Sequence, residues 1–185
     1  RWTAGGVFYA GGTMVSLAAI RGGAAGGLYA MLFVFALVWA TDIMAYFTGR
    51  AIGGPKLAPA ISPGKTWSGA IGGAVFGVLA ALGVAFAFGG APNLAFVFLA
   101  LVLSALSQIG DLFESALKRR SGVKDSSHLI PGHGGVMDRV DGLAAAAFVL
   151  FAVVAVAGLA GGGHNPVVGD TLRNWSGIAT VPNGD

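Results

Sequence analysis

Charged residues stand far apart along this chain, and the uncharged runs between them have the length of a membrane crossing. Trp2 to Ile20 ends at Arg21, and Gly22 to Thr41 ends at Asp42. Trp67 to Gly90 is followed by the short break Ala91-Pro92-Asn93, and Leu94 to Gly110 runs into Asp111. Gly142 to Leu159 gives way to Gly161-Gly162-Gly163. A helix needs about 20 predominantly apolar residues to cross the hydrocarbon core. Five transmembrane helices are therefore expected. Strands of a membrane barrel would alternate polar and apolar residues, and these runs do not. The expected fold is all-α: a polytopic integral membrane protein with two polar loops. Residues 1–160 form one transmembrane domain in this reading, and the Gly-, Asn- and Pro-rich residues 161–185 a flexible tail.

Composition narrows the picture further. Of 185 residues, 11 are Lys or Arg and 8 are Asp or Glu, so only 10% are charged. A soluble domain carries about 25%, and a disordered chain is polar and charge-rich. Both classes are excluded, in line with a mean hydropathy of +0.77. The 32 glycines follow no three-residue period and Pro numbers only 7, which excludes collagen. Cysteine is absent, so no disulfide, thiolate nucleophile or Cys-ligated metal is available. The chain begins at Arg1 and is read as a fragment or processed product, with no signal peptide to identify.

The two polar loops run from Asp42 to Thr66 and from Asp111 to Asp141, and together they hold eight of the eleven basic residues. Two spans separate them, so both lie on one side, which the positive-inside rule makes cytoplasmic. A basic excess of +3 then reflects anionic lipid headgroups, and no nucleic-acid partner is expected. Gly69, Gly73 and Gly77 recur every four residues in the third span. Such a stripe lets a neighbouring backbone approach closely. Packing within the chain is the preferred reading, and a homodimer through the stripe is the alternative.

The second loop interleaves Asp111, Glu114, Asp125, Asp138 and Asp141 with five Lys or Arg. Hard carboxylates suit Mg²⁺, which takes one or two of them together with substrate phosphates, and Lys and Arg grip the remaining phosphate charge. A metal–phosphate site and a solvated loop of mutually paired charges both fit this composition. If the fourth helix continues, Asp111, Glu114, Ser115 and Lys118 share a face. Asp138 and Asp141 are three apart and would do the same. The run Pro131-Gly132-His133-Gly134-Gly135 permits backbone N–H groups to approach an anion, and His133 could donate to a phosphate; a plain turn is the alternative. His128 and His164 have no partner motif. In the first loop, Asp42 closely follows twenty uncharged residues, where an acid is costly unless it faces a polar cavity or a partner; span length alone favours the alternative, a residue sitting just outside the hydrocarbon. Ser62-Pro63-Gly64-Lys65-Thr66 leads into the third span and offers hydroxyls, an ammonium and helix N-terminal amides to an anion. It lacks the Walker A spacing.

These segments resemble a known family. Ser115-Ala116-Leu117-Lys118-Arg119, then Lys124-Asp125, then His133-Gly134-Gly135-Val136-Met137-Asp138-Arg139-Val140-Asp141 is similar to the signature of the phosphatidate cytidylyltransferases (CDP-diacylglycerol synthases). Asp42, Ala45-Tyr46, Gly49-Arg50 and Ser62-Pro63-Gly64-Lys65-Thr66-Trp67 resemble a second block of that family, so the resemblance covers roughly residues 1–160. Ser68 stands where the family usually carries Glu, and members generally have further spans before the point matching Arg1.

The resemblance implies a bacterial inner-membrane enzyme that makes CDP-diacylglycerol and pyrophosphate from CTP and phosphatidate, with one Mg²⁺ or two. It implies that Asp111 and Asp138 hold the metal, with Asp141 a supporting acid and Lys124 in the catalytic set. Lys118, Arg119 and Arg139 would bind phosphates beside His133. Ser62, Lys65 and Thr66 would share the same polar cavity, lined also by Asp42. Two other readings are a CTP-dependent polyprenol or phytol kinase, which would release CDP, and a transporter or channel. The last predicts charges spread through span centres, whereas here they cluster in two loops.

Overall fold

The computed structural model describes residues 2–22, 26–120, 141–160 and 167–178. Along them run α1 (Trp2–Arg21), α2 (Gly26–Ile52), β1 (Lys56–Ala58), β2 (Ser62–Thr66), α3 (Trp67–Ala87), α4 (Leu94–Arg120), α5 (Asp141–Ala160) and α6 (Val168–Trp175). Among the described residues, α2, α3 and α4 are long and apolar enough to cross a membrane, and Gly142–Ala157 of α5 forms a shorter apolar helix.

Large apolar side chains cover the outside of the bundle as well as its core. Trp67, Ile71, Val75, Leu79 and Phe86 form an exposed face of α3, and Leu94, Phe98, Leu101, Ile109 and Phe113 do the same on α4. Where α2, α3 and α4 meet, the interior also holds small and polar residues: Gly69, Gly73, Gly77, Ala81 and Ala85 of α3, and the hydroxyls of Thr41, Ser104 and Ser107. Lipid is as apolar as leucine, so close backbone approach and interhelical hydrogen bonds replace the hydrophobic effect as the source of helix association. One such bond is present in full. Thr41 Oγ1 donates to Leu37 O at 2.8 Å, so the second 2.8 Å contact, with Ser104 Oγ of α4, is one that Thr41 accepts.

The glycine stripe is used within the chain. A Cβ at Gly69 would lie 2.6 Å from Ala45 O, and one at Gly73 2.6 Å from Thr41 O. A Cβ at Gly77 would overlap Thr41 Oγ1. The matching positions on α2 are therefore Leu37, Thr41, Ala45 and Gly49, again four apart, and α2 and α3 pack antiparallel along this seam. Dimerisation through the stripe has no face left to use.

Two helices run further than the charge pattern suggests. α2 continues ten residues past Asp42 and α4 nine past Asp111, because a single carboxylate does not interrupt the backbone hydrogen-bond ladder. What ends α2 is Gly53-Gly54-Pro55. Gly53 and Gly54 take φ of 68° and 104°, in the region that favours glycine, and Gly53 N–H closes onto Gly49 O at 3.1 Å. Pro55 then has no N–H to continue the helix. The chain turns into the antiparallel pair β1–β2, with Lys56 opposite Thr66 and Ala58 opposite Ser62. This hairpin has no clear alternation of apolar residues and was not expected from the sequence.

The segment expected to be a flexible tail contains α6. Val168 and Leu172 are buried there, four residues apart on one face, and Gly169 meets Gly26 so closely that a Cβ on Gly26 would lie 2.6 Å from Gly169 C. α6 closes the end of the bundle where the large core side chains gather. Tyr29 stacks near Phe88 at 5.3 Å and Phe33 near Phe96 at 5.2 Å, with Ile20, Leu172 and Ile178 in the same cluster. The opposite end, beneath the hairpin, is packed with small and polar residues and opens into a cavity.

Candidate active site

The cavity has a volume of about 980 Å³ and is lined by α2, the hairpin, the first turns of α3 and α5, and α4. Each wall has a local cause. Gly49 of α2 faces Gly69 of α3, where a Cβ would meet the Thr66 hydroxyl and the facing backbone, so the two helices stay close where the hairpin joins them. Thr66 is the N-cap of α3: its backbone is extended and its Oγ1 accepts from Gly69 N–H at 3.1 Å. Ser68, in the position where Glu was expected, donates to Gly53 O and lies 3.0 Å from Thr66 Oγ1. Trp67 N–H donates to Pro55 O at 3.1 Å. The two strand ends of the hairpin are thus tied to the start of α3, which fixes where β2 delivers its side chains.

Lys65 is the next residue back on β2, and its ammonium donates to Asp111 Oδ2 of α4 in an ion pair. One turn earlier on α4, Gln108 Nε2 donates to Ala70 O of α3 at 3.3 Å. These two contacts hold α4 against the α3 end of the cavity. Asp42 opens into the same space from α2, near enough to Asp111 and Lys65 for both charges to act on it. Ser62, Gly64, Arg50 and Lys56 complete the polar lining.

Of the site residues expected from sequence, Asp42, Ser62, Lys65, Thr66 and Asp111 line this one cavity. The Thr66 hydroxyl is engaged as the helix cap. Lys118 and Arg119 lie further along α4 and are not part of the lining. Lys118 Nζ pairs with Glu114 Oε1 at 2.8 Å, and Arg119 Nε donates to Ile61 O, at the hairpin turn, at 3.5 Å. Asp141 opens α5 beside Gly142, which does line the cavity. Lys124, His133, Asp138 and Arg139 lie outside the described residues. Among those that are described, no three His, Cys, Asp or Glu form a metal-binding group.

One polar lining residue was not singled out from the sequence, and two basic ones were given no role in the site. Gln108 is uncharged and sits inside an apolar run, so a reading by charge passes over it. Arg50 and Lys56 were counted as loop charge, and only the end of α2 and the hairpin pairing bring them to the rim.

A single cavity therefore joins the two polar segments through acids, cations and hydroxyls, which is chemistry suited to phosphate groups. Comparison with known proteins agrees. Residues 2–157 match the Cytidylyltransferase family. This chain belongs to that family. Among curated members of the cytidylyltransferase family, a phosphatidate cytidylyltransferase of Brucella abortus biovar 1 (strain 9-941) is 57% identical over 150 residues, 81% of this chain and 56% of the relative. The phosphatidate cytidylyltransferase of Haemophilus influenzae is 53% identical over 129 residues, 65% of this chain and 43% of the relative. That of Pseudomonas aeruginosa is 50% identical over 132 residues, 69% and 48%. The chain spans about half the length of the cytidylyltransferases it matches.

Proposed function

We propose that this chain forms the catalytic membrane core of a phosphatidate cytidylyltransferase, which transfers CMP from CTP to phosphatidate and yields CDP-diacylglycerol and pyrophosphate for phospholipid synthesis. The observation that carries the reading is the Lys65–Asp111 ion pair inside a cavity that Asp42 also enters. It joins the two sequence blocks that resemble the family into one polar site at one end of a lipid-facing bundle.

The reaction needs little from a base. The phosphatidate phosphate is largely dianionic near neutral pH, its second pKa being about 6. One of its oxygens attacks the α-phosphorus of CTP, the new P–O bond forms, the bond to the β-phosphate oxygen breaks, and pyrophosphate leaves. The obstacles are repulsion between anions and charge on the leaving group. Cationic side chains lower both, and Lys65 is the one that stands beside an acid in the cavity.

Two carboxylates opening on one cavity match the donor set that Mg²⁺ takes from proteins. Asp111, with Asp138 from outside the described residues, would hold it, and Asp42 and Asp141 are the acids available to complete the set or to hold a second ion. When bound, Mg²⁺ would neutralise phosphate charge around the reacting centre.

The proposal extends to topology. α1 and α5 are 20 residues each, roughly 30 Å of helix, and with α2, α3 and α4 they make five crossings of a bacterial inner membrane, the cavity end facing the cytoplasm. The test of function uses CTP labelled at the α-phosphate, phosphatidate and Mg²⁺ with the detergent-solubilised full-length protein. Label is expected in the lipid with release of pyrophosphate, and is expected to be lost in Asp111→Asn and Asp138→Ala proteins that keep their helical circular dichroism. Accumulation of CDP in place of pyrophosphate would overturn the reading, as would full transfer by both variants.

A further inference from the structure

Three cations line the cavity, and they are not equivalent. Lys65 is matched by Asp111. Arg50 and Lys56 form no ion pair with a carboxylate among the described residues. Arg50 Nη1 donates to Tyr46 Oη at 3.2 Å, one turn back on α2. This pins one edge of the guanidinium and leaves other N–H groups for an anion.

The wall below Arg50 has a direction. Phe35, Trp39, Ile43, Tyr46 and Arg50 all line the cavity, and their spacing of four, four, three and four places them on one face of α2. The stripe runs roughly 22 Å along the helix. Phe35, Trp39 and Ile43 are apolar, Tyr46 is phenolic and Arg50 cationic, and Asp42 borders the stripe on the side of the cavity toward Lys65 and Asp111. Phe35 and Trp39 meet edge to face at 5.2 Å. Among the described residues nothing covers Trp39, Ile43 or Tyr46, which are 56%, 54% and 60% exposed. A nucleotide has no use for such a length of apolar wall. A molecule with a hydrocarbon chain and a phosphate head matches it end to end, in both polarity and charge.

We infer that this face of α2 is the lane of the lipid substrate, with Arg50 and Lys56 receiving its terminal phosphate and Phe35, Trp39 and Ile43 carrying the first part of an acyl chain. The occupant is a lipid phosphomonoester, and the assignment rests on the cytidylyltransferase reading above. Lys65 and the acids are thereby left to the nucleotide and the metal. The two anionic substrates enter from different sides of one cavity and meet at Asp111.

The test uses the full-length enzyme in mixed micelles and has two arms. In the kinetic arm, an Arg50→Gln, Lys56→Gln double variant is expected to raise KM for phosphatidate about tenfold or more, since each lost charge-assisted hydrogen bond is a substantial term. KM for CTP should stay within about twofold, and Arg50→Lys with native Lys56 should recover most of the difference. A rise confined to CTP, or no change in either KM, overturns the assignment. The second arm does not depend on turnover. Phosphatidate with brominated acyl chains is expected to quench Trp39 fluorescence, read as the difference between the native protein and Trp39→Phe. Dioleoylglycerol brominated in the same way should quench less, and the double variant should abolish the preference for the phosphate-bearing lipid. Equal quenching by both lipids in the native protein also overturns it. If no protein makes CDP-diacylglycerol while the preference persists, the reaction assigned above fails and the lane stands.

Discussion

Lys65 and Asp111 lie 46 residues apart in sequence, and their contact is what makes one site out of two polar segments. The pair is only partly exposed, its side chains being 29% and 34% accessible, so its attraction is less screened than that of a surface pair. Replacing Lys65 by Met keeps the length of the side chain and removes the charge. Asp111 then loses its partner in the cavity, and a substrate phosphate loses a cation. Turnover is expected to fall by about 100-fold or more, the usual effect of removing one preorganised stabilising group, with helical circular dichroism unchanged. Activity within a few-fold of native would show that the ion pair is only structural. Asp42, Lys65 and Asp111 were legible in the sequence because each is a charge beside a long apolar run, where it needs a reason to be. Gln108 was not, since an amide in an apolar run costs little in a hydropathy reading. Its role as a tie to Ala70 O depends on the distance between α3 and α4, which no local pattern encodes.

At the scale of elements, the seam between α2 and α3 sets the shape of the cavity. Small residues recur every four positions on both helices, and their backbones come so close that Gly73 has no room for a methyl group: its Cβ would stand 2.6 Å from Thr41 O and 2.9 Å from Ala45 Cβ. Gly83 lies on the other face of the same helix, with nothing within 4 Å of such a Cβ. The comparison separates packing from helix propensity. Gly73→Ala is expected to destabilise by about 1–3 kcal/mol, the range for overpacking, and Gly83→Ala to be neutral or slightly stabilising. Thermal unfolding in detergent reads both, and equal midpoints for the two variants would contradict the seam. The stripe itself was visible in the sequence; its partner on α2 was not, because Leu37, Thr41, Ala45 and Gly49 share small or medium size rather than one chemistry. Helix ends were misjudged for a related reason. Charge marks where a chain can meet water, whereas Gly53-Gly54-Pro55 marks where the backbone can no longer continue as a helix, and in α2 the two points are ten residues apart.

For the whole molecule, the two ends of the bundle are built differently, and the difference predicts sidedness. One end holds the cavity, Arg50, Lys56, Lys65 and the hairpin; the other is filled by aromatic rings and closed by α6, whose Leu172 is buried and whose Asn174 faces outward. The basic residues of the described segments concentrate at the cavity end, and by the positive-inside rule that end is expected to face the cytoplasm. The composition of residues 161–185 concealed α6, because its two buried anchors, Val168 and Leu172, are diluted by glycine and polar neighbours. Since the chain contains no cysteine, single cysteines report topology without further changes. Ala60→Cys at the exposed hairpin turn and Asn174→Cys on α6 are both on open surface. In intact inverted inner-membrane vesicles, a membrane-impermeant maleimide is expected to label Cys at 60 and to spare Cys at 174 until detergent is added. In right-side-out vesicles the order should reverse. Labelling of both positions from one face would place α6 on the cavity side and break the five-span arrangement. The opposite pattern at both positions would keep the fold and invert its orientation, leaving the cavity on the side where no nucleotide is supplied and overturning the proposed use of CTP.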